Sequence, residues 1–137
     1  MRDENIKFLI DTNLFIAATK SGWTTSTDLI LRLVEGPWDI VADDILISEY
    51  EKYANQFGAR DFLHLIRFKA VVIEQSEKDI LICKSFFPSS AAADIVHAAT
   101  CLHAEAVLIS NDAHFKRIRE AGLIEVWTIS EAIRKLL

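Results

Sequence analysis

The sequence is short of the residues that interrupt regular structure, with four glycines and two prolines in 137 residues. Long irregular loops are therefore not expected, because Gly and Pro are the commonest turn and loop residues. Two cysteines, Cys83 and Cys101, are too few for a disulfide framework, and they do not form a Cys-x-x-Cys pair. Both lie in apolar, helix-forming segments, so we predict that they are small core residues.

Long apolar runs and an excess of positive charge are also missing. No stretch of about 18 apolar residues is present, so no membrane-spanning helix is predicted, and the charged start M-R-D-E-N-I-K is unlike a secretory signal. The net charge of −5 disfavours broad, charge-driven binding of nucleic acids and leaves room for a local basic patch. With 51% hydrophobic and 26% charged residues, we expect one cytoplasmic globular domain over residues 1–137.

Apolar runs and turn residues predict strands that alternate with helices along the whole chain. Strands are predicted at 6–10, 38–42, 70–73, 107–109 and 123–129. Helices are predicted at 14–19, 24–35, 43 or 44 to about 55, 61–68, 77–86, 91–103, 113–121 and 130–137. Ser89 or Ser90 is expected to cap the helix at 91–103, and Ser130 the last one. This alternation predicts an α/β fold, a three-layer α/β/α sandwich around a five-stranded, mainly parallel sheet.

Four acidic residues stand in otherwise apolar sequence: Asp11 after the first strand, Glu49 within the helix that follows the second, Asp94 near the start of the helix before the fourth, and Asp112 after the fourth strand. Acids are seldom buried without a compensating partner, and clustered carboxylates raise one another's pKa. A divalent cation would resolve that conflict, and oxygen ligands suit Mg²⁺ or Mn²⁺. Such an ion can activate water and stabilise charge on phosphate, so the acids favour phosphodiester hydrolysis.

The motifs that contain these acids resemble those of PIN-domain ribonucleases, with the size and layout of VapC-type toxins. They are F-L-I-D-T-N-L-F at 8–15, S-E-Y at 48–50, A-D-I-V-H-A-A-T at 93–100 and L-I-S-N-D-A-H-F at 108–115. The resemblance extends over essentially the whole chain and implies an endoribonuclease that depends on Mg²⁺ or Mn²⁺. The residues that match the catalytic and metal-binding acids are Asp11, Glu49, Asp94 and Asp112, and those that match the supporting polar positions are Thr12, Asn13, Ser110 and Asn111.

The resemblance also implies partners, namely RNA, a small antitoxin and a second copy of the chain. The helices at 24–35 and 45–57 are apolar enough to supply a dimer face. RNA needs a phosphate-binding surface, and the best basic cluster for it is Lys116, Arg117 and Arg119, just beyond Asp112. A looser group consists of Arg60, Arg67 and Lys69. Trp23, in a predicted loop, is the best candidate for stacking on a base.

Several of these residues also have a structural interpretation. Asp11 and Asp112 stand where a carboxylate can cap a helix, and Asp94 lies where the helix dipole favours a negative charge. Asp43 and Asp44 are expected to act mainly as cap residues, and the hydroxyls of Thr12 and Ser110 suit turn capping as well as carboxylate support. His97 lies on the helix face of Asp94 and is expected to be packed or hydrogen-bonded rather than a ligand. His114 is assigned to the surface or to a substrate rim.

Two other functions fit parts of the pattern. A PIN-fold module could bind RNA or protein without turnover. A phosphoryl-accepting, receiver-like signalling domain would also place acids at the carboxyl edge of an α/β sheet, but the later strand ends show no clear acceptor Asp with an active-site Lys. A haloacid-dehalogenase-like phosphatase is disfavoured because the first strand ends in Asp11-Thr12-Asn13 rather than in D-x-D.

Overall fold

Five strands form one parallel sheet in the computed structural model, which describes residues 6–137. They are β1 (Lys7–Ile10), β2 (Asp39–Ala42), β3 (Ala70–Val72), β4 (Val107–Ile109) and β5 (Val126–Trp127), in the order β3-β2-β1-β4-β5. The predicted α/β architecture with a five-stranded parallel sheet is confirmed. A receiver domain has the strand order 2-1-3-4-5, so the observed order argues against the receiver alternative.

Helices cover both faces of the sheet and make the fold a three-layer sandwich. They are α1 (Thr12–Thr19), α2 (Thr25–Glu35), α3 (Asp44–Phe57), α4 (Arg60–Lys69), α5 (Glu77–Lys84), α6 (Ala92–Ala104), α7 (Lys116–Glu120) and α8 (Ile129–Leu136). A single 3₁₀ turn, Ala113–Phe115, precedes α7. In one layer α2 packs against α1, α4 and α8, and in the other α5 packs against α6.

The two central strands decide where the acids meet. The side chains of Phe8, Leu9 and Ile10 are fully buried in β1, and β4 is buried throughout, as expected for parallel strands covered on both faces. The register pairs Ile10 with Ile109, and the backbone N–H of Asp11 donates to the Ile109 carbonyl at 3.1 Å. The residues that follow β1 and β4 are therefore neighbours at the carboxyl edge of the sheet, where ligands bind in folds of this class.

Four of the eight helices, α2, α3, α5 and α8, begin at a side-chain cap, and α3 is an example. The Asp43 carboxylate accepts a hydrogen bond from the Leu46 backbone N–H at 2.8 Å, as expected of a cap residue. The helix ends at Gly58, whose φ of 66° lies in the left-handed region that favours glycine. The predicted role of Asp43 as a cap residue is confirmed.

Two helix caps and the end of one strand differ from prediction. Ser89 and Ser90 do not cap α6, because they lie in a turn closed by a hydrogen bond from the Ala91 N–H to the Pro88 carbonyl, and Ala91 takes the cap position. Strand β5 is shorter than the predicted segment 123–129, since the chain leaves the sheet after Trp127. Thr128, rather than Ser130, then caps α8 through a hydrogen bond from the Glu131 N–H at 3.1 Å.

The predicted dimer helices pack mainly into their own subunit. The apolar side chains Leu29, Ile30, Leu33, Leu46 and Tyr50 are fully buried in the core of the chain. Large apolar side chains are exposed elsewhere, among them Phe68, which is 95% exposed at the end of α4, and Val71 and Val72 on the edge strand β3. The homodimer therefore stays a prediction, and α2 and α3 do not offer a broad apolar face for it. No helix within residues 6–137 is both long and apolar enough to cross a membrane.

Candidate metal centre

Two of the predicted acids meet at the carboxyl edge together with a histidine. One ligand atom each from Asp94, Asp112 and His114 lies within 4.8 Å of the other two. His114 Nδ1 is 2.8 Å from Asp94 Oδ2 and 3.4 Å from Asp112 Oδ1. Asp94 is supplied by the first turn of α6, and the other two residues flank the start of the 3₁₀ turn after β4. The cluster thus joins elements that are adjacent in the fold.

Ser110 links this cluster to Asp11, the predicted acid after β1. Its Oγ donates to Asp11 Oδ2 at 2.6 Å and accepts a hydrogen bond from the Asp112 backbone N–H at 2.9 Å. Asn13 Nδ2 also donates to that Oγ, at 3.3 Å. Asp11 is 5% exposed, and burial raises its pKa while the Ser110 hydrogen bond lowers it. The charge of Asp94 adds to the increase, as expected for neighbouring carboxylates.

Asp94 is also affected by its surroundings. Partial burial raises its pKa, the hydrogen bond with His114 lowers it, and the charge of Asp112 raises it. The carboxylates of Asp11, Asp94 and Asp112 therefore form a connected row in which each member faces a like charge. For Asp11 and Asp94 the raised pKa agrees with the predicted repulsion between carboxylates, although burial is the larger cause.

Glu49, the fourth predicted acid, is held differently. Its Oε1 accepts hydrogen bonds from Thr12 Oγ1 at 2.6 Å and from His97 Nε2 at 3.2 Å. Although partial burial acts to raise the pKa of Glu49, these hydrogen bonds outweigh it and the pKa is lowered. Because Thr12 follows Asp11 directly, the contact keeps Glu49 beside the end of β1. Glu49 is not one of the three ligand residues that converge around Asp94.

A buried ion pair lies behind Glu49. His97 is 1% exposed, its Nδ1 is 2.7 Å from Asp43 Oδ2, and Thr100 Oγ1 donates to the same oxygen at 3.2 Å. Burial alone would lower the pKa of His97, but hydrogen bonds to Asp43 and Glu49 and the nearby negative charges raise it to about 10. The two carboxylates therefore favour the charged form of His97, and its Nε2 orients Glu49. Its prediction as a hydrogen-bonded residue agrees with this geometry.

The predicted basic cluster lies on the other side of Asp112. Lys116 and Arg119 line a cavity of about 280 Å³ together with Ser110, Asn111, Asp112 and Thr128. Arg119 donates to Glu131 Oε2 at 3.0 Å, so its charge is already partnered. Lys116 and Arg117 are exposed and form no ion pair with any described carboxylate. Asn111 accepts a hydrogen bond from the Ile129 N–H at 2.9 Å, which fixes the start of α8.

The donor set fits a divalent cation. Neighbouring ligands on an octahedral ion with bonds of about 2.1 Å are separated by about 3 Å, and the 2.8 and 3.4 Å separations at His114 lie on either side of that value. Carboxylate oxygens suit Mg²⁺ and Mn²⁺. Asp94 and Asp112 could ligate the ion, with Asp11 held next to them by Ser110.

His114 and Asp43 make more contacts with the other site residues than the sequence predicts. The spacing D-x-H at 112–114 was the available signal for His114, since a turn after a strand can return a side chain to the preceding acid. The pairing of Asp43 with His97 spans 54 residues, and nothing local in the sequence indicates it.

Comparison with known proteins supports the fold. No protein-family model matches the sequence, and no curated protein matches it. Among solved structures, the chain is similar to one in the crystal structure of VapBC2 from Rickettsia felis bound to a DNA fragment from their promoter, with a TM-score of 0.61. The match covers 90% of this chain and 98% of that chain at 12% sequence identity. At this identity the likeness shows the fold, a PIN-like sandwich.

Proposed function

We propose that this protein is an endoribonuclease that depends on Mg²⁺ or Mn²⁺ and hydrolyses RNA phosphodiester bonds at the carboxyl edge of its sheet. The observation that supports this most is the convergence of Asp94 and Asp112 beside the buried Asp11, on a PIN-like fold. Helix capping accounts for part of the role of Asp112, whose Oδ1 accepts from the His114 N–H at 2.9 Å. It does not account for Asp94, because the side chain of Asp94 caps no backbone N–H among the described residues.

The residues at this edge of the sheet would have different roles in such a site. Asp11, Asp94 and Asp112 would hold the ion, and a bound divalent ion stabilises charge on phosphate and makes water more acidic. Ser110 fixes the orientation of Asp11 and the backbone position of Asp112 through one oxygen atom. Thr12 and His97 keep Glu49 ionised and in place, where it can orient a water molecule. Lys116, beside the cavity next to Asp112, is the best placed cation for an RNA phosphate.

The experiment that tests this proposal is cleavage of a fluorogenic single-stranded RNA with Mn²⁺, Mg²⁺ or EDTA. We expect cleavage with either ion and none with EDTA. Asp94→Asn should lose at least about 100-fold in rate, which corresponds to about 2.7 kcal/mol of barrier. Asp61→Asn, an equal charge change at an exposed position on α4, is the matched control. Full activity of Asp94→Asn would overturn the proposal, and metal binding without cleavage of any RNA would support a binding module instead.

We further propose that the nuclease acts as the toxin of a toxin–antitoxin pair, with a small antitoxin as partner. The support is the likeness to a chain of a VapBC2 assembly and the motif resemblance given above. Induced expression in a bacterial host should arrest growth for the wild type and not for Asp94→Asn. Equal growth of the two strains, at equal protein levels, would contradict the toxin role and leave the nuclease proposal in place.

A further inference from the structure

The carboxylate cluster contains one nitrogen donor, and the motif match to the four acids does not account for it. His114 Nδ1 lies 2.8 Å from Asp94 Oδ2 and 3.4 Å from Asp112 Oδ1. Its imidazole is half exposed. The ring is held by its two carboxylate neighbours, on a short 3₁₀ turn that begins directly after Asp112.

We propose that His114 is a direct ligand of the divalent ion and that it makes the site prefer Mn²⁺ to Mg²⁺. This inference rests on the proposed function, because it concerns the same metal site. Its geometric basis is a match of distances. Adjacent ligands of one octahedral ion are about 3 Å apart, and Nδ1 lies 2.8 and 3.4 Å from the two carboxylate oxygens. The ion would take the place of the hydrogen bond between His114 and Asp94, and the proton on Nδ1 would be released to solvent, since a histidine nitrogen binds a metal only when it is deprotonated.

The preference for Mn²⁺ over Mg²⁺ follows from the imidazole nitrogen of His114. Mg²⁺ is a hard cation that takes oxygen ligands and keeps several waters. Imidazole nitrogen is a ligand of first-row transition metals such as iron, nickel and zinc, whereas Mg²⁺ is bound by oxygen. Mn²⁺ belongs to the same transition series, and it accepts a nitrogen ligand beside carboxylates more readily than Mg²⁺ does. Replacing one oxygen ligand by a histidine therefore stabilises bound Mn²⁺ more than bound Mg²⁺. His97, the other histidine at this edge of the sheet, cannot serve in the same way because both of its ring nitrogens already bind carboxylates.

The test measures metal binding itself, without RNA. Calorimetric titrations of Mn²⁺ and of Mg²⁺ are made on the wild type, on His114→Gln and on His64→Gln, an exposed histidine of α4 that serves as control. We expect tighter binding of Mn²⁺ than of Mg²⁺ by the wild type. His114→Gln should lose about tenfold in Mn²⁺ affinity, the lower end of the effects seen when metal-site residues are altered, and much less in Mg²⁺ affinity. The control should match the wild type.

A spectroscopic measurement separates ligation from an indirect effect on the site. Electron spin-echo envelope modulation of the Mn²⁺-loaded wild type should show coupling to a nitrogen nucleus, and this coupling should vanish in His114→Gln and persist in His64→Gln. Mn²⁺ binding without nitrogen coupling, at equal affinity in His114→Gln, would overturn the inference alone. A wild type that binds neither ion would overturn the proposed metal site and the inference with it.

Discussion

Two histidine–aspartate clusters lie at the same edge of the sheet, and they differ in burial and in the number of fixed partners. In the first, the buried His97 binds Asp43 and Glu49, and Thr100 donates a further hydrogen bond to Asp43. In the second, His114 is half exposed and contacts Asp94 and Asp112 without further protein donors to Asp94 among the described residues. The first cluster is satisfied by the protein alone, whereas the second has carboxylate oxygens left for another ligand.

The difference shows how similar side chains can serve stability in one place and function in another. Buried charges are tolerated when they are paired and hydrogen-bonded, and the pKa of His97, raised to about 10, shows that its pairing outweighs burial. The pKa of Asp94 is raised instead, by burial and by the charge of Asp112, despite the hydrogen bond from His114. An acid whose charged form is disfavoured in the folded protein is one that gains from a bound cation.

The largest expected effect is on the buried cluster. Asp43→Asn removes the carboxylate that neutralises His97, and breaking one partner of a buried pair costs about 3 to 5 kcal/mol. We expect a loss of about 3 kcal/mol in the free energy of unfolding, measured by urea denaturation. Asp44→Asn, an equal change at the exposed neighbouring residue, should stay within about 0.5 kcal/mol of the wild type. Equal effects of the two substitutions would show that the buried pair is not a stabilising unit.

The exposed cluster should behave in the opposite way. Mutation there should change the stability little, whereas bound metal should raise it strongly. Mn²⁺ at 100 times its dissociation constant should raise the stability of the wild type by about 2.7 kcal/mol. Asp94→Asn should remove that gain and change the stability in EDTA by no more than about 0.5 kcal/mol, because the substitution also removes repulsion from Asp112. Thermal unfolding with Mn²⁺ and with EDTA measures both. Full Mn²⁺ stabilisation of Asp94→Asn would assign the ion to another place.

Substitution of Ser110 should have an intermediate effect on the free energy of unfolding, because Ser110 connects the buried Asp11 to the exposed cluster at Asp112. Ser110→Ala removes the hydroxyl that donates to the buried Asp11, and a hydrogen bond to a charged group contributes about 1.5 to 3 kcal/mol. We expect a loss of about 2 kcal/mol in urea denaturation. Ser130→Ala, at an exposed position of α8, should be nearly neutral. A neutral Ser110→Ala would mean that Asp11 does not depend on this hydroxyl.

The sequence was sufficient to predict the acids that follow the central strands and the cap of α3, although the predicted caps of α6 and α8 were wrong. Asp11 and Asp112 follow apolar strands, so their placement at one edge of the sheet required only that β1 and β4 pair, which they do. Asp43 stands before a helix, and its cap hydrogen bond is local. These features depend on residues a few positions apart, which is the range over which sequence patterns carry structural information.

The contacts between helices could not be predicted from the sequence. His97 meets Asp43 and Glu49 because α6 packs beside α3, and the rotation of one helix against another is set by the whole core. The sequence also left open what covers α2 and α3, since an apolar helix face predicts burial but not whether the same chain or a second copy covers it. Both helices turn that face inward.

The smallest expected effect is on RNA binding, and it tests whether the substrate lies beside the exposed cluster. Lys116 is exposed, lines the cavity next to Asp112 and forms no ion pair with a described carboxylate, whereas Arg119 is paired with Glu131. Lys116→Ala should weaken single-strand RNA binding a few-fold and reduce the slope of log affinity against log salt by about 0.7, the value for one phosphate contact. Fluorescence anisotropy in EDTA, between about 50 and 200 mM salt, measures both quantities.

Two further variants test whether the change in salt slope depends on the cavity next to Asp112. Lys84→Ala removes an equal charge from the last turn of α5 and should leave the slope unchanged, since Lys84 does not line the cavity. Arg119→Ala should reduce the slope less than Lys116→Ala, because its guanidinium already contacts the Glu131 carboxylate. If Lys84→Ala and Lys116→Ala lowered the slope equally, RNA would be held by the general surface charge, and the cavity beside the exposed cluster would have no special part in binding. If the slope changed for Lys116→Ala alone, a phosphate would be placed next to Asp112, and the exposed cluster would face the substrate while the buried one supports the fold.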